Sequence, residues 1–423
     1  MPVLVRSMSC LSLLPMLFAL AVQAQSDRAP HLFEQISRHL GQQERTLIDI
    51  RHDLHRHPEL SNEEVRTAGV ITAHLEGLGF EVRTGVGGHG VVGMLKSAQP
   101  GPVVAFRADM DAVRSNAPDP VNYRSVVPGM RHICGHDVHV AVGLGIAEAF
   151  AATRDEWPGT VMLIFQPAEE RGTGANAMLR DNVFEPMPPD AIFAVHTTPY
   201  PVGTLATAPG AMMAGRALVN VTLQGPGNVE EAAATVRQAL LSLSTVPPNQ
   251  MMDTAPPGFI FVQLFNPALS ASSEDAGSSS EATVGGQVMT LGAEDRARAK
   301  ALALEALQSA DLGDATLEVT YNDRFLEGVT NDSALVELAN AAIETHVPSV
   351  DVQKVDGAIP VFSEDFGSFQ ARTPGIMYYL GVSNPEAGTV GMPHTPNYVA
   401  DDAAILVGSR AITAAMLERL MAE

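Results

Sequence analysis

The hydrophobic and polar positions in the first half of the chain predict helices and strands in alternation. Apolar residues recur at helical spacing over Leu32–Leu54 and His139–Ala152, and Ser61–Glu64 caps a helix that runs to about Leu78. Apolar runs bounded by glycine-rich turns predict strands at Phe80–Val86, Val91–Leu95, Val103–Arg107, Val161–Phe165 and Ala191–Val195. This alternation indicates an α/β fold, a doubly wound domain with a mixed sheet.

The pattern changes at about Gly215. From there to Asn322 the predicted order is strand, helix, strand, strand, helix, strand, which is the ferredoxin-like arrangement. The elements are Val219–Leu223, Val229–Leu243, Phe259–Phe265, Thr283–Leu291, Ala293–Leu307 and Thr316–Tyr321. The serine-rich, acidic run Ser270–Ala282 between the middle strands predicts a mobile loop.

The chain then returns to the first domain. Helices are predicted at Ser333–His346 and Ala403–Met421, with a core strand at Ile376–Gly381 between them. We therefore predict a main domain of residues 25–214 and 323–423, interrupted by an inserted domain of residues 215–322.

The first 24 residues have the pattern of an export signal. A short basic start, Met1–Arg6, precedes the apolar run Cys10–Val22, and Val22–Ala24 is a small-residue cleavage site. We expect residues 1–24 to be a signal peptide and the mature protein to be periplasmic or secreted. We also expect no membrane contact after leader cleavage. A polar linker near Ser26–Pro30 would precede the first helix.

Composition and charge exclude some partners. A hydrophobic content of 46% over 423 residues suits a globular chain of about two domains. The formal net charge of -22 argues against nucleic acid as a partner, because phosphate binding needs Lys and Arg in excess.

Three predicted strands deliver polar side chains at their carboxyl ends. Asp109 and Asp111 follow one strand, Glu169 and Glu170 follow another, and His196 directly follows a third. Open α/β sheets build their sites at this edge, so we expect one shared site. The Glu pair considered alone could equally be a solvated acidic turn.

The stretch His132–His139 holds three imidazoles, a thiol and a carboxylate within eight residues. The chain has two cysteines, and Cys10 lies in the predicted leader, so Cys134 would be the single thiol of an exported protein. A thiolate flanked by histidines suggests a metal ligand. The alternative is an inert, buried cysteine.

Seven motifs in order give the chain a family resemblance. The motifs are His55–Leu60, Arg107–Ala112, His132–His139, Gln166–Glu170, Val195–His196, Ser363–Phe366 and Pro393–Pro396. With them the chain resembles the dinuclear metallopeptidases of the aminoacylase and carboxypeptidase type, in particular the amidohydrolase branch that includes hippurate and indole-acetyl-amino-acid hydrolases.

The resemblance implies a role for each matching residue. It implies that two divalent metal ions, zinc or manganese, are bound by Cys134, His136, Glu170, His196 and His394. Glu169 matches the general base that takes a proton from the attacking water. The implied activity is metal-dependent hydrolysis of the amide bond in N-acyl amino acids or short peptides.

Other residues of these motifs are interpreted as supporting groups. Asp111 matches an aspartate that orients the site, and His132 and His139 are interpreted as partners of ligands or core histidines. Asp137 and Glu364 are interpreted as partners of metal ligands or as helix-capping groups. Three histidines in or just before the first motif are interpreted as structural: His52, His55 and His57.

The inserted domain departs from the family pattern. Relatives carry a Gly-Gly-His stretch where this chain has Gly225–Val229, and an arginine where it has Gly286–Met289. An asparagine-containing segment is also missing around Ser270–Thr290. A second hypothesis is therefore a non-catalytic or weakly active metal-binding relative that captures a ligand. The expected assembly is a monomer or a homodimer.

Overall fold

The computed structural model describes residues 14–226, 229–265 and 279–422. Its helices are α1 (Leu14–Arg56), α2 (Val65–Gly77), α3 (His136–Ala152), α4 (Gly174–Arg180), α5 (Glu230–Leu241), α6 (Ala293–Gln308), α7 (Ser333–His346), α8 (Gly367–Gln370) and α9 (Ala403–Met421), with a 3-10 turn at Pro248–Gln250. The strands are β1 (Glu81–Val86), β2 (Gly90–Lys96), β3 (Val103–Asp109), β4 (Val113–Arg114), β5 (Met130–Arg131), β6 (Thr160–Gln166), β7 (Ala191–Pro201), β8 (Thr204–Thr207), β9 (Gly210–Ala211), β10 (Gly215–Pro226), β11 (Phe261–Leu264), β12 (Ser279–Thr290), β13 (Thr316–Leu326), β14 (Thr330–Asn331), β15 (Asp351–Lys354) and β16 (Gly375–Ser383).

The main sheet has eight strands in the order β1-β2-β6-β3-β7-β16-β8-β15. Its centre is parallel, from β6 through β3 and β7 to β16, whereas β1 and β2 form an antiparallel edge. Every residue of β3, β6 and β16 is buried. Their continuous apolar runs are typical of parallel strands covered on both faces.

Helices cover both faces of this sheet. Along β6, Leu163 and Phe165 join the core beneath α1, α3, α7 and α9, whereas Met162 and Ile164 join a second core. That second core includes Met178 of α4 and Phe369 of α8. Side chains alternate across a strand, so a sheet with apolar residues at every position needs helices on both sides.

A second, antiparallel sheet has the order β11-β12-β10-β13. Together with α5 and α6 it follows the β-α-β-β-α-β order, and it lies in sequence between β9 and β14. Its own core contains Val219, Val221 and Leu223 of β10, packed against α5 and α6. The predicted fold class, a doubly wound α/β domain with a ferredoxin-like insert, is confirmed, while the domain boundaries stay predictions.

Two predicted segments differ from the structure. Residues 26–30 belong to α1, so the prediction of a polar linker there is wrong. Polar side chains at these positions do not stop backbone hydrogen bonding along the helix. Residues 279–282 belong to β12, where they pair with residues 223–226 of β10, so the loop predicted for Ser270–Ala282 is wrong there. The rest of that loop, 270–278, lies outside the described residues.

The predicted leader, residues 1–24, stays a prediction, and residues 1–13 lie outside the described part of the chain. Within the described residues, every helix is too short or too polar to cross a bilayer.

Candidate metal centre

The predicted site residues come from the carboxyl ends of two neighbouring parallel strands, from within a third strand that extends past its predicted end at Val195, and from the start of α3. Asp109 ends β3, Glu169 and Glu170 follow β6, and His196 lies within β7. His136 is the first residue of α3, three residues earlier than the sequence pattern predicted. This geometry places the candidate residues at one edge of the main sheet.

Cys134, His136 and His196 form one group of potential ligands. One ligand atom from each lies within 4.8 Å of the others, and Cys134 Sγ is 3.6 Å from His196 Nε2. Cys134 and His136 are buried. A thiol and two imidazoles in this arrangement form a typical donor set for a divalent transition metal.

Cys134, Glu170 and His394 form a second group that shares the thiol with the first. Their ligand atoms also lie within 4.8 Å of one another, and His394 Nε2 is 3.3 Å from Glu170 Oε1. The backbone N–H of His394 donates to the carbonyl of Ile133 at 2.8 Å, which ties this distant loop to the Cys134 loop. His394 has a φ of 59°, and such strained backbone often marks functional sites.

The imidazoles of His136 and His196 are held so that Nε2 of each ring faces the group that these residues form with Cys134. His136 Nδ1 donates to the carbonyl of Asp111 at 2.8 Å, and His196 Nδ1 donates to the carbonyl of Thr197 at 2.9 Å. A carbonyl only accepts, so each Nδ1 carries a proton, and in the neutral ring each Nε2 has a lone pair. Metal-binding histidines are commonly oriented in this way.

Buried polar atoms without partners also fit a metal. His136 Nε2 and Glu170 Oε1 have no hydrogen-bond partner among the described residues. Buried polar atoms are normally paired, and these two lie 3.8 Å apart, so one cation bound by both would satisfy them. The residues therefore fit a divalent cation.

Asp111 holds the two glutamates in place. Its Oδ1 accepts from the backbone N–H of Glu169 at 3.2 Å, and its Oδ2 accepts from that of Glu170 at 3.1 Å and from the Ser61 hydroxyl at 2.6 Å. This turn lets the side chains of Glu169 and Glu170 both approach His136 Nε2, each at 3.8 Å. The orienting role predicted for Asp111 agrees with these contacts.

The site carries excess negative charge. Burial, followed by repulsion from Glu364 and Glu170, raises the pKa of Glu169 well above its usual range. Burial and the two glutamates also raise the pKa of the Cys134 thiol. Although burial opposes it, Asp109 and Asp111 raise the pKa of His136 to about 10. Bound cations would offset this repulsion between buried carboxylates.

The other histidines of the stretch occupy different positions. His139 has no free ring nitrogen, because Nδ1 donates to Asp109 at 2.5 Å and Nε2 accepts from the Thr197 N–H at 2.9 Å. His132 is buried without a partner for either nitrogen among the described residues, and burial lowers its pKa to about 4. The contacts of His139 favour a supporting role, whereas His132 makes no hydrogen bond to a candidate ligand among the described residues.

The charged residues around the site also have defined partners. Asp137 pairs with Arg51 at 3.2 Å and with His55 at 2.9 Å, and Glu364 pairs with Arg107 at 2.7 Å. His52 contacts Asp402 at 2.9 Å, and His57 bonds the carbonyl of Asp53 at 2.9 Å.

Gly135 lies between two candidate ligand residues at the start of α3, with φ of 88°. A Cβ there would contact the Tyr398 hydroxyl and lie 2.6 Å from Thr197 Oγ1. We predict that Gly135→Ala lowers the free energy of unfolding by about 2–4 kcal/mol, measured by urea denaturation. The control is Gly69→Ala in α2, where a Cβ would have open space, and it should raise stability by about 0.5–1 kcal/mol. An unchanged stability of Gly135→Ala would contradict the packing described for this loop.

A cavity of about 600 Å³ opens beside the candidate metal centre. Its lining includes the polar side chains of the centre and several apolar ones: Cys134, Glu169, Glu170, His196, His394, Leu218, Phe325 and Phe362. Residues of β10, β12 and β13 also line it, so the cavity lies between the main sheet and the second sheet. This volume suits a small molecule.

The sequence interpretation missed Arg216, which also lines this cavity. The available signal was the alternation along β10, where Ala217, Val219 and Val221 are buried in one face and Arg216 and Leu218 lie on the other.

Comparisons with known proteins agree with this geometry. The model of peptidase family M20/M25/M40 matches residues 105–418. Thermostable carboxypeptidase 2 of Saccharolobus solfataricus is 29% identical, with 90% of this chain and 97% of its own length covered. N-acetylcysteine deacetylase of Bacillus subtilis is 30% identical, with 86% of this chain and 94% of its own length covered.

A solved structure gives the same result for the fold. The Bacillus subtilis YXEP protein, described as a dinuclear metal binding peptidase from the M20 family, aligns with a TM-score of 0.70 at 28% identity. The alignment covers 88% of this chain and 97% of that protein. The resemblance and the hydrolase prediction drawn from the sequence are confirmed: the chain belongs to peptidase family M20/M25/M40 and is a hydrolase that acts on amide or peptide bonds.

Proposed function

We propose that the protein is a metal-dependent amidohydrolase that cleaves the amide bond of N-acyl amino acids or short peptides. The observation that carries this proposal is the pair of ligand groups sharing Cys134, with the separate carboxylate of Glu169 beside them at the end of a small-molecule cavity. A purely structural metal site would not need that additional carboxylate.

Five residues would hold two divalent ions. Cys134, His136 and His196 suit one ion, and Cys134, Glu170 and His394 suit the other, so the thiolate would be common to both. Bound ions would polarise the scissile carbonyl and lower the pKa of a water molecule. The thiolate favours zinc, while the carboxylate and imidazole ligands also suit manganese.

Glu169 would act as the general base. Asp111 fixes its backbone, and its carboxylate lines the cavity and lies 3.8 Å from His136 Nε2 without being part of either Cys134 group. In this position it can accept a proton from the attacking water and return it to the leaving nitrogen. Nearby cations would oppose the repulsion that raises its pKa, which would keep it ionised and able to accept that proton.

The substrate class follows from the cavity and from the relatives. A cavity of about 600 Å³ lined by polar and apolar side chains accommodates an acyl group joined to an amino acid, not a folded protein. The names of the relatives, a carboxypeptidase and an N-acetylcysteine deacetylase, agree with cleavage of small amides.

The test uses the purified full chain without its predicted leader. We expect elemental analysis to find close to two metal ions per chain, and the zinc, manganese or cobalt form to hydrolyse members of a panel of N-acyl amino acids and dipeptides. If the protein retains metal but hydrolyses no member of the panel, the result would support the second hypothesis, a non-catalytic metal-binding relative that captures a ligand. Protein that binds no metal would contradict both hypotheses.

A further inference from the structure

Arg216 is a half-buried cation that faces the cavity from the second sheet. It lies on β10, directly opposite Met289 of β12, and it lines the cavity together with Leu218 on the same face of the strand. Its Nη2 donates to the hydroxyl of Ser363, which belongs to the main domain. The guanidinium therefore lies where the two sheets meet around the cavity.

This guanidinium lacks the partner that other buried arginines have. Arg51 pairs with Asp137 and Asp402, Arg107 pairs with three carboxylates, and Arg131 pairs with Asp119. Arg216 has no ion pair with any carboxylate of the described residues, and its Nε is buried without a hydrogen-bond partner there. A charge removed from water is costly unless it is paired, so an anion is expected to complete this site.

The surroundings of Arg216 restrict the kind of anion. Leu218, Phe325, Leu326 and Phe362 line the same cavity, so the space beside the guanidinium suits a ligand with an apolar part. Glu169 and Glu170 line the same cavity, and their charges oppose the lowering of the Arg216 pKa by burial. A ligand bound between those glutamates and Arg216 would present its amide to the glutamates and a negative group to the guanidinium.

We propose that Arg216 binds the free carboxylate of the substrate and so makes the enzyme selective for amides that carry one. The planar guanidinium suits a carboxylate because two N–H groups can donate to its two oxygens. The inference rests on the proposed function, since it names the part of the N-acyl amino acid or peptide that this residue recognises.

The experiment compares N-benzoylglycine and N-benzoylglycinamide, alongside the acid and carboxamide of the best substrate in the panel. For the metal-loaded protein we expect Arg216→Met to lower kcat/KM for the acid by about 10- to 100-fold, mainly through KM. The carboxamide should change by less than about twofold, since it has no charge for Arg216 to bind. Arg216→Lys should lose less kcat/KM for the acid, because lysine keeps the positive charge but cannot form the bidentate hydrogen bonds of a guanidinium.

Calorimetric binding provides a readout that is independent of turnover. In a Glu169→Gln background, the acid should bind more tightly than the carboxamide, and Arg216→Met should remove that difference. The matched control is Arg298→Met, an exposed arginine of α6 that contacts Asp295 at 3.1 Å on the same inserted segment. Unfolding temperature and metal content are measured for every variant.

The outcomes separate this inference from the proposed function. An equal loss for acid and carboxamide in Arg216→Met, or an acid preference that survives it, would overturn the role of Arg216 while leaving the hydrolase intact. Absence of turnover for every acid and carboxamide in the unaltered protein would overturn the proposed function. A calorimetric acid preference that depends on Arg216 would still support carboxylate binding in that case.

Discussion

Replacement of Glu169 by glutamine is expected to lower kcat by about 100- to 10,000-fold, the usual contribution of a positioned general base. Glutamine keeps the size of the side chain and can occupy the same position at the end of the cavity, but its amide cannot take a proton from water. Neither Cys134 group of potential ligands includes Glu169, so metal content should stay the same. Steady-state kinetics and elemental analysis of the same preparation measure both quantities.

The control for this variant is Glu63→Gln, which makes the same chemical change at an exposed position before α2. It should leave kcat unchanged. Full activity of Glu169→Gln would show that another group carries the proton, whereas loss of metal in that variant would show that Glu169 is a ligand.

Replacement of Arg107 by methionine is expected to lower the free energy of unfolding by about 3–5 kcal/mol. Arg107 is fully buried and contacts Asp109 at 2.8 Å, Glu364 at 2.7 Å and Asp365 at 3.1 Å. Its removal leaves three buried carboxylates without their common cation, and this uncompensated charge dominates the cost. Urea denaturation of the metal-free protein at neutral pH measures the loss.

The loss should depend on pH in a defined direction. Burial acts to raise the pKa of Asp109, but Arg107 holds it well below its usual range, and removing the cation would raise it. A carboxyl group with a raised pKa in the folded state stabilises that state fully below its unfolded pKa of about 3.9, and this contribution is lost as pH rises through the folded value. In the unaltered protein the depressed pKa of Asp109 makes its contribution constant above about pH 3.9, so the deficit of Arg107→Met should shrink as pH falls from 8 towards 5.

The matched control is Arg38→Met. Arg38 forms an exposed ion pair with Glu34 at 3.5 Å on α1, and its loss should change stability by less than about 0.5 kcal/mol. A similar, small effect for Arg107→Met would mean that the three carboxylates are protonated or hydrated instead of being neutralised by Arg107.

The local pattern of the sequence was sufficient for most of the secondary structure. The predicted helices Ser333–His346 and Ala403–Met421 have the bounds of α7 and α9, and the central strands lie where apolar runs predicted them. These elements depend on periodicity within one short segment, which the sequence contains in full. The same is true of the motif residues, because each motif is a contiguous stretch.

Short or partly exposed elements were missed for the opposite reason. The strands β8 and β15 pair with each other at the edge of the main sheet, and most of β15 is accessible to solvent. Four-residue strands carry too few positions for a periodic signal. Their pairing depends on the neighbours available in the folded chain, not on their own composition.

The sequence by itself determined the fold class, the family and the residue types available for a metal centre. Only the tertiary structure decided that His394 approaches Glu170, that Cys134 belongs to two groups of ligand atoms, and that both ring nitrogens of His139 are occupied. It also decided that Arg216 faces the cavity without a carboxylate partner among the described residues. These facts concern distances between side chains from separate segments, and such distances exist only after the strands have taken their order in the sheets.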